Sequence, residues 1–264
     1  MDKRYGTDLS DRAWKCIKDL LPKRKKMGRP REVDLREVLN AIFYVDQGGI
    51  AWNLMPKDLP HHKTVYGYFR QWRIDGTWQL IHDRLRERVR QRAGRHRQPS
   101  AAVLDSQSVK TTDVGGPERG FDGGKGVRGR KRHILVDSCG LLLSVLVTAA
   151  NVQDKTGART LLAKIKDGLR RLKLIWVDGG YESDPLSQWL KQLRPDRPIT
   201  IEVVKRSDDA KGFEVLPRRW VVERSFGWLN KHRRLSKDYE RLPETSEAMI
   251  RIAFIRLMLA RLAA

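Results

Sequence analysis

The sequence has few of the residues that build several common kinds of site. It contains only two cysteines, Cys16 and Cys139, which lie far apart and make neither a disulfide framework nor a set of zinc ligands. Its most apolar stretch, residues 141–150, is too short to span a bilayer, and the charged start does not resemble a signal peptide. We therefore expect a cytoplasmic protein with reduced thiols and no membrane partner.

Negative charge is also scarce. The 264 residues include 54 Lys and Arg against 32 Asp and Glu, a formal net charge of +22. Such an excess costs self-repulsion and indicates a polyanionic partner. We expect nucleic acid, with an anionic membrane surface as the alternative.

Helical periodicity dominates the first hundred residues. Four segments place apolar residues at helical spacing between start and stop signals, and a basic loop is predicted between the first two. The helical segments are 9–22, 34–49, 61–76 and 77–94, and the loop is 23–31. A basic, proline-containing linker follows, so we place a domain boundary at residue 98, with a helical domain over 1–98 and a second domain over 99–264.

The third helical segment has two different faces. Val65, Phe69 and Trp72 form an apolar face. Short helices with a tight turn before a basic helix are typical of a helix-turn-helix, whose second helix enters the major groove of DNA. The alternative is that the basic face is only solvated. The residues expected to contact DNA are Lys63, Tyr66, Arg70 and Arg73.

Strand signals appear beyond residue 98 and alternate with helices, which predicts an α/β domain with a mixed sheet covered by helices. The strands are expected within 100–105, 133–150 (a hairpin), 173–181 and 199–206, and the helices within 154–172, 183–193, 217–235 and 246–262. A glycine-rich basic segment at 113–133 is expected to be a mobile hairpin. Its residues expected to be available to DNA are Lys125, Arg128, Arg130, Lys131 and Arg132.

Three apolar runs end in an aspartate: Asp105, Asp137 and Asp178. Asp137 begins "DSCG", a sequence typical of a type I turn, so we assign it a structural role. An unpaired carboxylate beside a buried strand is costly, so Asp178 must cap a turn, meet a cation or hold a metal. If the strands at 101–105 and 174–178 are neighbours, Asp105 and Asp178 meet and need a proton or a metal between them.

Glu223 is the best candidate for a third acid. In a helix it lies on one stripe with Arg219 and Asn230, at the edge of an apolar stripe. A surface ion pair between Arg219 and Glu223 explains the same spacing equally well. Asp154 is a possible helper near this site, although its position before a helical segment favours a capping role.

Several long blocks of the sequence resemble one known family. They are "VLDSQSVKTT", "RGRKRHILVD", "NVQD", "WVDGGY" and "RRWVVERSFGWLNKHRRLSKDYE", together with "GGIAWNLMPKDLPHHKTVYGYFRQWRIDG" in the helical half. These blocks are similar to those of bacterial insertion-sequence transposases of the DDE type, in the group typified by insertion sequence 5 within the wider insertion sequence 4 superfamily. The resemblance covers nearly the whole chain, in matching order.

This resemblance implies a ribonuclease H-like catalytic domain over 99–264 behind an all-helical DNA-binding domain. It also implies that Asp105, Asp178 and Glu223 are the catalytic acids and hold two Mg²⁺ ions, for which Mn²⁺ is a substitute. Arg219 matches the arginine that precedes the glutamate in the superfamily.

The sequence departs from the superfamily pattern at two positions. Leu216 stands where the pattern has a tyrosine, and Asn230 stands where it has a lysine. Lys231 is one position late, about 80° off the Glu223 stripe in a helix of 3.6 residues per turn. Arg219, Asn230 and Lys231 are the candidates for contacts with DNA phosphates beside the metals.

The function implied by the resemblance is binding of the element's terminal inverted repeats, strand cleavage and strand transfer into target DNA. The partner is double-stranded DNA, bound by a homodimer, in the cytoplasm at the nucleoid. One alternative is a DNA-binding regulator with an inactive nuclease domain. Another is a nuclease that cuts without joining.

Overall fold

The computed structural model describes residues 4–23, 32–113, 115–204 and 218–264, so the predicted basic loop lies outside the described residues except for Lys23. The chain divides into two compact units. The first unit comprises Met1–Arg95, Leu229–Ser236 and Ala248–Ala264, and the second comprises His96–Trp228 and Lys237–Glu247. The predicted boundary at residue 98 stays a prediction. In the described part of the chain, no helix is long and apolar enough to cross a membrane.

The helices of the first unit confirm the four helical segments predicted from periodicity. They are α1 (Asp11–Ile17), α2 (Leu35–Gly48), α3 (His62–Ile74) and α4 (Thr77–Arg92), joined by the part of the C-terminal helix that begins at Ala248. Local signals set their ends. Ser10 caps α1 by accepting from the Ala13 N–H, and Asp34 caps α2 by accepting from the Arg36 N–H. Gly49, with φ +73°, ends α2.

Helix α3 has the two faces that its sequence predicts. Val65, Phe69 and Trp72 are at most 2% exposed. On the other face Lys63, Tyr66 and Arg70 are exposed and Arg73 is half-buried. The tight turn lies after α3, at Asp75 and Gly76, whereas the α2–α3 connection contains the 3₁₀ turn Trp52–Leu54. The helix-turn-helix therefore stays a prediction.

The second unit is built on one mixed sheet of six strands. The strands are β1 (Ala101–Lys110), β2 (Gly120–Asp122), β3 (Val127–Asp137), β4 (Leu142–Ala149), β5 (Leu174–Val177) and β6 (Thr200–Val203). Their order is β2-β3-β1-β5-β6, and β4 also pairs with β3. β3 is antiparallel to β1, β2 and β4, while β1, β5 and β6 run parallel.

Helices flank this sheet and close its core. They are α5 (Asp154–Ala163), α6 (Asp184–Leu193) and α7 (Trp220–Leu229), whereas α8 (Pro243–Ala263) belongs to the first unit from Ala248 onward. Ala102 and Leu104 of β1 and Ile175 of β5 pack with Leu161 of α5 and Leu190 of α6. The core thus lies under the strands that carry Asp105 and Asp178, which holds the backbone around both acids rigidly.

The expectation for the basic segment needs correction. Arg130, Lys131 and Arg132 are not accessible, because they lie in β3 and are at most 5% exposed. The Arg130 guanidinium lies 3.2 Å from Asp238 and donates to the carbonyls of Glu118, Glu240 and Arg241. These cations therefore bind acceptors inside the unit and are not available to DNA. Lys125 and Arg128 are exposed, as expected.

Two helical glycines are expected to respond oppositely to alanine. A Cβ on Gly157 of α5 would lie 2.2 Å from the ring of buried His133, so Gly157→Ala should destabilise the fold by about 1–3 kcal/mol. A Cβ on Gly67 of α3 would meet nothing within 4 Å, so Gly67→Ala should stabilise it by about 0.5–1 kcal/mol. Denaturant unfolding measures both changes. Equal signs for the two variants would contradict this packing.

Candidate active site

Two of the predicted acids lie side by side on neighbouring strands. β1 and β5 pair in parallel, with Val103 opposite Trp176. Asp105 lies two residues beyond this pairing on β1, Asp178 directly follows β5, and the two carboxyl groups are close enough for the charge of Asp178 to act on Asp105. The strands that lead to Asp105 and Asp178 are therefore neighbours, which is the condition under which the two acids meet. Asp105 does not end its strand, because β1 continues to Lys110.

The Asp105 carboxyl is electrostatically unusual. Its burial raises its pKa to about 6, and the neighbouring Asp178 carboxylate acts in the same direction. The Ser106 N–H, which donates to the Asp105 carboxylate at 2.7 Å, and the positive charges of Arg219 and Lys125 lower the pKa and partly oppose the rise. Ionised Asp105 thus lies in a place where an additional cation would be stabilising.

Two of the three alternatives that the sequence leaves for Asp178 are observed: it caps a turn and it meets a cation. Its side chain accepts from the Gly180 N–H at 2.9 Å and caps the 3₁₀ turn Gly179–Tyr181. Its Oδ2 also lies 3.8 Å from Nη2 of Arg219. The same Arg219 atom lies 4.0 Å from Oε1 of Glu223. Arg219 therefore joins Asp178 and Glu223, and the two carboxylate oxygens are no further apart than the sum of these distances.

The donor chemistry of the three acids fits a divalent ion, because hard cations such as Mg²⁺ prefer carboxylate oxygens. The raised pKa of Asp105 fits as well, since a bound cation would favour its ionised form. Within the described ranges, however, no group of three or more His, Cys, Asp or Glu side chains is arranged to hold a metal ion. Arg219 provides the positive charge between Asp178 and Glu223 in this arrangement.

A polar cluster that the sequence reasoning largely missed lies next to Asp105. The Ser106 hydroxyl donates to Asp154 at 2.8 Å, and the Lys131 ammonium lies 3.0 Å from the same Asp154 oxygen. Asp154 is the first residue of α5 and Gln153 is the N-cap, so the favoured capping role of Asp154 is wrong, and its side chain binds Ser106 and Lys131 instead. Buried Tyr181 lies nearby, and its burial and the charges of Asp105 and Asp154 raise its pKa. Ser106 lies in "VLDSQSVKTT" and Tyr181 lies in "WVDGGY", two of the blocks that resemble the transposase family. That resemblance was the signal that could have identified both residues.

The DNA-contacting residues predicted beyond residue 98 separate into two groups. Lys125, in the turn between β2 and β3, reaches the Ser106 carbonyl at 3.5 Å and therefore lies close to Asp105. Arg128 is exposed farther along the same hairpin. Asn230 and Lys231 are exposed too, but α7 ends at Leu229, so the helical stripe expected to carry Asn230 does not extend to it. Both belong to the first unit, where the Lys231 carbonyl accepts from Gln47.

Comparison with known proteins finds a family match in each half of the chain. Residues 96–258 match the family described as "Transposase DDE domain", and residues 9–82 match "Putative transposase of IS4/5 family (DUF4096)". The "Putative transposase for insertion sequence element IS402" of Burkholderia cepacia is 34% identical over 131 residues, which cover 47% of this chain and 60% of that protein. The "Insertion element IS402 uncharacterized 16.2 kDa protein" of the same organism is 27% identical over 113 residues, covering 40% of this chain and 76% of that protein. The chain thus spans less than two thirds of the length of the first relative.

Proposed function

Because the chain belongs to the transposase DDE domain family, we propose that it is an insertion-sequence transposase that binds terminal inverted repeats, cleaves DNA strands and joins them to target DNA. Membership of this family implies a ribonuclease H-like fold, DNA binding and a nuclease activity that generally uses divalent metal ions. One observation carries the proposal: β1 and β5 pair in parallel just before Asp105 and Asp178, and Arg219 lies within 4.0 Å of both Asp178 and Glu223.

Asp105, Asp178 and Glu223 are the residues that would hold two Mg²⁺ ions, or Mn²⁺ in their place. When bound, such a pair activates water or a 3′-hydroxyl on one side of the phosphate and stabilises the departing oxygen on the other. Pairing with β3 holds the backbone of Asp105, and the hydrogen bond from the Gly180 N–H holds the Asp178 carboxylate, so two of the ligands are preorganised. Glu223, with a side chain 53% exposed, has room to adjust on its helix.

The cations around the acids are suited to bind the DNA backbone. Arg219 presents a planar guanidinium, which matches the geometry of a phosphate group. Lys125 approaches the site from the β2–β3 hairpin, and Arg128 extends the positive surface of that hairpin. We add Asn230 and Lys231 because both are exposed in the turn after α7. These contacts would position the phosphate and carry no sequence information.

The exposed face of α3 is the proposed reader of the inverted repeats. Lys63, Tyr66 and Arg70 are exposed on it, beside half-buried Arg73, and the apolar face below them is fully packed. A rigid helix with such a face suits the major groove. The remaining basic residues of the chain would supply the electrostatic, sequence-independent part of the affinity.

Neutralising one side chain on this face is expected to weaken binding to end DNA. Arg70→Ala should lower the affinity and reduce the slope of log affinity against log salt by about 0.9 if Arg70 contacts a phosphate. Arg84→Ala is the matched control, because Arg84 is an exposed arginine of α4 whose side chain is 52% exposed. Titration of labelled end DNA at several salt concentrations measures both. Equal effects of the two substitutions would remove α3 from the interface.

The direct test of the proposed function uses the inverted repeats that flank the coding region. Purified protein and a duplex carrying those repeats should yield nicked ends with Mg²⁺ or Mn²⁺, and strand-transfer products when target DNA is added. Cleaved ends without transfer products would instead identify a nuclease that cuts without joining. Binding without cleavage under any divalent metal would identify the regulator.

The regulator is the second candidate because one observation favours it. Across the residues that the structure describes, no three-ligand arrangement is assembled, and Arg219 lies between Asp178 and Glu223. A regulator would keep α3 and its affinity for the repeats but would bind no metal at the acids. Metal-dependent nicking that is lost in Asp178→Asn would exclude it.

The proposed function also predicts the oligomeric state of the protein on DNA. Two ends of an element must be handled together, so we expect a homodimer on DNA, which analytical ultracentrifugation of the complex with end DNA would test. A monomer bound to each end separately would contradict this expectation. The group typified by insertion sequence 5 and the location at the nucleoid stay predictions.

A further inference from the structure

The turn between β3 and β4 is stabilised by several internal hydrogen bonds. Asp137 is fully buried, and its Oδ1 accepts from the N–H groups of Cys139 and Leu141 at 2.8 and 2.9 Å. Gly140, with φ +79°, completes the turn and donates its N–H to the Asp137 carbonyl. With its N–H groups satisfied internally, the turn directs the carbonyls of Cys139 and Gly140 outward as acceptors.

Helix α7 binds both of these carbonyls through consecutive residues. Arg224 donates to the Cys139 carbonyl at 3.1 Å, and the single Ser225 hydroxyl hydrogen is shared between the Gly140 carbonyl at 3.0 Å and the Val221 carbonyl of α7 itself at 2.8 Å. The Arg224 guanidinium is held in place because it stacks between the rings of Trp220 and Trp228, at 4.4 and 4.8 Å. These two hydrogen bonds come from the residues that directly follow Glu223.

A third contact fixes the other end of the helix. A Cβ on Gly140 would lie 2.9 Å from the Trp228 ring and 3.0 Å from the Ser225 hydroxyl. Only glycine therefore permits both the positive φ and the close approach of α7 at this position. Arg224 and Trp228 lie one turn apart on the same face of α7, with Ser225 beside them, so their contacts with one turn restrict both rotation about the helix axis and sliding along it.

We propose that the β3–β4 turn, residues 137–140, is the seat that sets the position of Glu223, and that Gly140, Arg224 and Ser225 are positioning residues for strand cleavage. The inference rests on the proposed function. Asp105 and Asp178 need no such device, because Asp105 is paired within the sheet and Asp178 directly follows β5 and accepts from the Gly180 N–H. Glu223 lies on a helix outside the sheet, so its distance from the other two acids depends on how α7 is seated.

The competing explanation is that these contacts only pack α7. Both explanations predict a lower melting temperature for Ser225→Ala and Gly140→Ala. They differ on the metal, because a displaced Glu223 weakens metal binding whereas lost packing alone does not. Mn²⁺ affinity, measured from the electron paramagnetic resonance signal of free Mn²⁺, is therefore a readout separate from activity.

The experiment compares the full-length parent with Ser225→Ala, Gly140→Ala and two controls. Ser187→Ala repeats the chemical change on α6, and Val145→Ala trims a fully buried side chain of β4, outside the core under Asp105 and Asp178, to lower stability without touching the seat. The seat variants should lose about 10- to 100-fold in Mn²⁺ affinity and in cleavage rate, as outer-shell substitutions do. Their affinity for end DNA should stay at the parent level, and both controls should keep the parent's Mn²⁺ affinity.

Three outcomes would overturn the inference. Seat variants with the parent's Mn²⁺ affinity and cleavage rate would show that the contacts only pack the helix. A matching loss of Mn²⁺ affinity in Val145→Ala would attribute the effect to stability. If the parent neither cleaves nor binds Mn²⁺ in a manner that depends on Asp105, the proposed function itself fails. If Gly140→Ala does not fold, Arg224→Lys replaces it, since lysine keeps the charge but loses the planar stack.

Discussion

Replacing Asp105 with asparagine is expected to reduce strand cleavage roughly 10³-fold, which corresponds to a loss of about 4 kcal/mol in transition-state stabilisation by a metal ion. Asparagine keeps the size and one oxygen of the side chain but removes the charge that a divalent ion requires. The backbone of β1 stays in its register, so the fold and the affinity for end DNA should remain at parent levels. Single-turnover cleavage with Mg²⁺ and DNA titration measure the two quantities.

The matched control for this substitution is Asp184→Asn. Asp184 is exposed in the first turn of α6, in the same unit, so the same chemical change there should leave cleavage unaltered. Full metal-dependent cleavage by Asp105→Asn would remove Asp105 from the catalytic residues. A parallel loss of DNA binding would instead indicate a disturbed fold.

Arg130→Met is expected to lower the free energy of unfolding by about 3–5 kcal/mol, because it leaves the buried Asp238 carboxylate without its cation. Arg130 is fully buried, and Asp238 is 2% exposed. The substitution also leaves three backbone carbonyls, those of Glu118, Glu240 and Arg241, without the donors they now have. Denaturant unfolding followed by circular dichroism measures the change.

Arg128→Met is the control for this prediction. Arg128 lies two residues earlier on the same strand and is exposed, so its loss should change stability by less than about 0.5 kcal/mol. If Arg130 were a DNA ligand that happens to be folded inward, Arg130→Met would reduce DNA affinity more than stability. Similar unfolding free energies for the two variants would contradict the buried role of Arg130.

Local sequence patterns predicted the helices and the central strands well because both follow from short-range periodicity. Val65, Phe69 and Trp72 repeat at helical spacing and form the buried face of α3. The apolar run at 174–177 forms β5, whose parallel pairing with β1 confirms the condition set for Asp105 and Asp178. The helical face and the strand can each be predicted from residues that are close together in the chain.

The polar half of β1 could not be predicted in this way. Ser106, Gln107 and Ser108 are not strand formers by hydrophobic pattern, yet they pair with His133, Arg132 and Lys131 of β3. β3 pairs with their backbone, and Asp154 and Asp122 accept from the hydroxyls of Ser106 and Ser108. Such non-local pairing overrides the local preference of a segment.

The basic segment was misinterpreted for a related reason. Charge density alone predicted exposure of Arg130 and Arg132, but their acceptors come from the segment around Asp238, more than one hundred residues later in the chain. The position of Asn230 was also mispredicted, because the helical pattern of α7 was extended past Leu229. No local signal marks either the distant acceptors or the end of this helix.

Fe²⁺-directed cleavage of the polypeptide tests most directly whether Asp105, Asp178 and Glu223 surround one metal site. Fe²⁺ takes the oxygen ligands of Mg²⁺ and, with ascorbate and peroxide, cuts the backbone next to the bound ion. The account predicts fragments that end near residues 105, 178 and 223, formed by the parent and lost together in Asp105→Asn. Cuts confined to other parts of the chain, or cuts at these positions that persist in Asp105→Asn, would contradict it.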